Sequence, residues 1–65
     1  MTPNQYRGAI ARLGLSQRAA ARLFGVGERQ SRRWALGEAD VPRAVEIALK
    51  LMAELEVNPA QFMRP

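Results

Sequence analysis

Four charged residues fall within the decapeptide GVGERQSRRW at positions 25–34: Glu28, Arg29, Arg32 and Arg33. A guanidinium is a planar fork of donors. It pairs in two-pronged fashion with carboxylate, phosphate or the O6/N7 edge of guanine, whereas a carboxylate can accept from a cytosine amino group. On a helix at about 100° per residue, Glu28 at 0° puts Arg32 at about 40°, Arg29 at about 100° and Arg33 at about 140°. Gln30, Trp34 and Ser31 fall at about 200°, 240° and 300°. One face is therefore rich in guanidinium and the other is apolar or small. The plainer alternative is a solvated helix face, on which Glu28 and Arg32 form a favourable i,i+4 pair and Glu28 suits the helix start.

Other chemistry is poorly supplied. The chain has neither Cys nor His, which removes disulfides and Cys/His metal sites. Its six carboxylates show no calcium-loop or paired-acid spacing. Ser16 and Ser31 have no base nearby in sequence, and Lys50 is alone. We expect no enzyme, cofactor, metal or small-molecule ligand. The charge is divided along the chain. Residues 1–33 carry seven arginines against Glu28, a net of +6, and residues 34–65 carry three cations against five acids, a net of −2. A polycationic half points to a polyanionic partner, although a composition biased toward Arg and Ala would give the same count. No apolar run approaches the ~20 residues of a membrane span, so the expectation is a soluble, cytoplasmic protein without a membrane partner.

At 65 residues one domain is expected, residues 1–65. Below roughly 70–80 residues a single core is marginal, so close helix packing or self-association must help. β-branched residues are few and alternation is absent, which predicts an all-α bundle of four to five short helices. Thr2-Pro3-Asn4-Gln5 reads as N-cap, first helical position and capping box for a helix carrying Tyr6, Ile10 and Leu13, stopped by Gly14. Ser16 caps a second helix from Gln17 to Phe24, with Gly25 at its end and Val26 inward. Gly27 starts a third, Glu28 to about Ala35, and Gly37 ends it. A fourth has Val41-Pro42 in its first turn and runs to about Leu55. Its apolar residues Val41, Ala44, Val45, Ala48, Leu51, Met52 and Leu55 follow helical spacing, and Ile47 and Leu49 widen the stripe to about 200°. Asn58-Pro59 begins a last short turn to Met63.

Two short helices joined by Gly25-Val26-Gly27 have the length and glycine content of a helix-turn-helix. Residues 15–37, LSQRAAARLFGVGERQSRRWALG, resemble the lambda-repressor-like (Cro/C1-type) DNA-binding family. Gln17 opens the first helix of the motif, Ala21 is the small residue at the helix contact, and Gly25 lies in the turn. Val26 is the buried residue after the turn, and Trp34 stands where a large apolar residue anchors the second helix. Gly27 replaces the usual hydroxyl cap, and Ser31 falls where the family buries Val or Ile. The resemblance implies double-stranded DNA as partner, and with it a nucleoid-associated protein. Helix 3 would lie in the major groove with Glu28, Arg29, Arg32 and Arg33 meeting base edges, and Gln17, Arg18 and Arg43 would meet the DNA backbone. Each has a plain alternative as a helix-start or solvated residue. Ser31 reads as a small packing residue, with a base contact as the alternative, and Trp34 and Tyr6 read as core. Arg7, Arg12 and Arg22 add to the positive field.

Family members usually pair on two half-sites, which implies a homodimer on a palindromic operator. Ile47, Leu51, Leu55, Phe62 and Met63 are the candidate contacts; alternatively they fill a small core. The function implied is a transcriptional regulator, a Cro/C1-like repressor. A protein-interaction module such as an antitoxin or anti-activator on the same scaffold is the alternative, because fold does not fix function.

Overall fold

A computed structural model describes residues 1–63. Local capping chemistry sets each helix boundary. Helix α1 spans Pro3–Arg12. The Gln5 backbone N–H donates to Thr2 Oγ1 at 3.1 Å, and the Thr2 N–H donates to Gln5 Oε1 at 2.8 Å. This reciprocal capping box satisfies two donors that a helix start otherwise leaves free. Gly14, at φ +75°, reverses the chain after α1.

Helix α2 spans Gln17–Phe24, and Ser16 Oγ accepts from the Ala19 N–H at 3.0 Å. Gly25 takes the left-handed C-cap at φ +68°, and the Val26 N–H bonds the Ala21 carbonyl at 2.9 Å. Helix α3 spans Glu28–Leu36, one residue longer than its apolar pattern predicts. Its N-cap, Gly27, offers no side-chain acceptor, as the sequence implies. Gly37 closes α3 at φ +80°, and the N–H groups of Glu38 and Ala39 both return to the Arg33 carbonyl.

Helix α4 spans Arg43–Glu54. Val41 and Pro42 lie before its first turn rather than within it, with Pro42 as N-cap. A residue ahead of proline is pushed toward extended backbone, which delays the helix. Asn58 Oδ1 accepts from the Ala60 N–H at 3.0 Å and starts a 3-10 turn, Pro59–Phe62.

The result is an all-α bundle: among the described residues there are four α-helices, one 3-10 turn and no strand. Helix α2 packs closely on α3, and α1 packs on both α3 and α4. Tyr6, Ile10, Leu15, Ala20, Trp34, Ala35, Leu49 and Met52 form the core. Small residues, Ala20 and Ala21 on α2 and Ala35 on α3, let the helix axes approach. The wide stripe on α4 is divided: Leu49 is fully buried, whereas Leu51 and Leu55 are 53% and 67% exposed. A stripe of about 200° is wider than one packing contact, and α1 takes the Leu49 side of it. No helix among the described residues is long and apolar enough to cross a membrane.

Candidate nucleic-acid interface

Helix α3 has two sharply different faces. Ser31, Trp34 and Ala35 are buried, and Glu28, Arg29, Arg32 and Arg33 are exposed. The inward face is held by α1. The Tyr6 ring meets the Trp34 ring edge-on, with centroids 5.7 Å apart and planes at 81°. The Tyr6 hydroxyl and Ser31 Oγ share a hydrogen bond of 2.7 Å, with both residues wholly buried. One turn further on, the Arg7 guanidinium donates to the Ala35 carbonyl and to Asn4 Oδ1. Tyr6 and Arg7 together reach Ser31, Trp34 and Ala35, so α1 grips two successive turns of α3. The indole N–H of Trp34 is buried without an acceptor, and that side chain serves as apolar bulk.

Two of these contacts go beyond what the sequence implies. Ser31 packs inward as its small size suggests, and it is also half of a polar pair whose other half lies 25 residues earlier. Arg7 adds to the positive field and also ties two helices together. Burial raises the Tyr6 phenol above its ordinary pKa, and the Ser31 hydrogen bond acts in the opposite direction.

On the outward face, Glu28 pairs with Arg18 of α2 rather than with Arg32: Glu28 Oε2 lies 3.8 Å from Arg18 Nε, with both side chains largely exposed. The pair spans the first turns of α2 and α3. Gln17, half-buried, and Arg18, exposed, precede the first intrahelical bond of α2, made by the Ala20 N–H to the Ser16 carbonyl at 2.9 Å. Their own N–H groups belong to the free donors of a helix start, which favour an anion. Arg43 is exposed as the first residue of α4.

A residue not singled out from the sequence also joins this face. Leu36, 59% exposed, falls at about 80° on the α3 wheel, between Arg32 and Arg29. The signal was available: Leu36 follows Arg32 by four positions and so shares its face.

The candidate dimer residues lie elsewhere. Ile47, Leu51, Leu55 and Phe62 are all exposed, and Met63 is half-buried against the core. Leu51, Leu55 and Phe62 share an apolar groove of about 390 Å³ with Leu23, Phe24, Ala48, Met52 and Val57. On α4, Glu46 accepts from Lys50 Nζ at 2.8 Å and from the Met1 amino group at 3.2 Å. These two cations hold its carboxyl below the ordinary carboxylate pKa, Lys50 contributing most. Comparison of the chain with protein-family models, with curated proteins and with solved structures finds no match.

Proposed function

We propose that the protein is a small sequence-specific regulator that binds double-stranded DNA, with α3 in the major groove. The observation that carries this reading is the division of α3. Ser31, Trp34 and Ala35 are fixed inward, which leaves Arg29, Arg32 and Arg33 together on the outside. A helix of this diameter fits the major groove, and arginine forks match the guanine edge there. Gln17, Arg18 and Arg43 contact phosphates and set the register without reading sequence. As a Cro/C1-like repressor the protein acts by occupying its operator.

The test is selection of bound duplexes from a random pool, followed by affinity measurements on the selected site. Arg29→Ala or Arg33→Ala is expected to cost about 1–3 kcal/mol on that site and to relax sequence preference at the matching position. Arg18→Ala is expected to weaken all duplexes alike and to flatten the salt dependence by about one charge. Unchanged operator binding in both α3 variants would remove α3 from the interface.

The apolar groove between α2, α4 and the 3-10 turn favours a second reading, in which the same scaffold binds a protein. Recovery of one stoichiometric protein partner, with no enrichment of any DNA sequence, would favour that reading over the first.

A further inference from the structure

A buried side-chain hydrogen bond lies on the far side of the helix that carries the arginines. Tyr6 and Ser31 are each 0% exposed, and their hydroxyls are 2.7 Å apart. An apolar pair would fill the same space without the cost of burying two hydroxyls. Apolar contacts are also tolerant of small rotations, because dispersion has no preferred direction. A hydrogen bond is directional: it weakens steeply as its angle closes. Ser31 lies between the arginines in sequence and points away from them. Any roll of α3 that moves Arg29, Arg32 and Arg33 across a base edge therefore also swings Ser31 Oγ off the Tyr6 hydroxyl. The edge-on Trp34 contact and the Arg7 bond to the Ala35 carbonyl lie on the same side of α3 and act in the same sense.

We propose that Tyr6 and Ser31 are positioning residues for base reading: their buried hydrogen bond sets the roll of α3 about its axis, and with it the bases that the arginines meet. The inference rests on the DNA-binding reading above. Neither residue touches DNA. Their effect falls on the ratio of operator to non-specific affinity and spares the general attraction to phosphate.

This ratio separates positioning from simple support of the fold. A variant that only unfolds part of the population lowers operator and non-specific affinity by the same factor, because both ligands bind only the folded protein. The ratio then stays constant. The experiment uses the full chain, a duplex selected by the protein and a scrambled duplex of equal length. Both are titrated at several salt concentrations against wild type, Tyr6→Phe, Ser31→Ala and the double variant.

Tyr6→Phe is expected to lower the ratio by at least about fivefold, the lower end of what one base contact supplies, with the non-specific salt slope unchanged. The double variant leaves neither hydroxyl buried without its partner, so it is expected to regain stability over Tyr6→Phe. The hydrogen bond is still missing, so its ratio is expected to stay low. If the ratio recovers with stability in the double variant, or never falls in Tyr6→Phe, the pair is structural and the inference fails while the DNA-binding reading stands. If wild type enriches no duplex at all, the DNA-binding reading fails and this inference falls with it.

Discussion

Burying a tyrosine hydroxyl in so small a core is costly without a partner, and here Ser31 provides one. Replacing Tyr6 with Phe leaves the serine hydroxyl buried with its partner gone, so a loss of about 1–3 kcal/mol is expected at neutral pH. The sign of the pH dependence follows from burial. Desolvation raises the phenol in the folded state, whereas in the unfolded chain it ionises near pH 10. The contribution of Tyr6 is then fully present below about pH 10 and declines as pH rises from there toward the folded value. Phe has no proton to lose. The stability gap between wild type and Tyr6→Phe is therefore expected to be constant from pH 7 to 9 and to narrow above pH 10. Urea midpoints across that range measure it, and a gap that holds constant to pH 11 would contradict the assignment.

At the scale of the element, three glycines share a left-handed backbone but not an environment. Gly14, Gly25 and Gly37 have φ of 75°, 68° and 80°. A Cβ at Gly14 or Gly25 would meet open space, whereas at Gly37 it would come to 3.0 Å from Pro3 Cγ at the start of α1. Gly14→Ala and Gly25→Ala are expected to cost about 1–2 kcal/mol from backbone conformation alone. Gly37→Ala is expected to cost more, because Pro3 must also give way. Gly8 lies in mid-α1 with nothing within 4 Å of a Cβ, so Gly8→Ala is expected to stabilise by about 0.5–1 kcal/mol. Thermal melts of the four variants test the order. These caps are also the part of the fold most legible in the sequence, since Thr2, Ser16 and Asn58 each act on backbone within three residues. The outward face of α3 was legible for the same reason: helical spacing alone sorts Arg29, Arg32 and Arg33 from Trp34. Spacing could not reveal which part of a wide α4 stripe turns inward, because that depends on where α1 docks. Nor could it join Tyr6 to Ser31 or Arg7 to Ala35, contacts made by folding across more than twenty residues.

At the scale of the whole molecule, α4 leaves an apolar surface exposed. Leu51, Leu55 and Phe62 are each more than half exposed around one groove, with Ile47 adjoining on the same face of α4. We propose that two copies of the chain meet at this exposed apolar patch, which is large for a domain with so little core. A twofold contact suits it, since a face of this kind can meet its own copy. The electrostatics give such a dimer a distinctive signature. Each copy carries a net charge of +4, so pairing brings like charges together, and screening relieves that repulsion. Binding to DNA releases counterions and weakens as salt rises. Self-association is therefore expected to tighten from 50 to 300 mM salt while operator affinity falls, a contrast that sedimentation and titration can measure on one sample. Leu51→Glu places a carboxylate in the groove at a position that is 53% exposed and outside the buried core. It is expected to leave the melting temperature at low protein concentration unchanged, to weaken pairing by more than tenfold, and to replace cooperative occupation of two half-sites with independent binding to each. A wild-type protein that sediments as a monomer up to high concentration, with and without operator, would end the dimer proposal and leave the groove to a different partner.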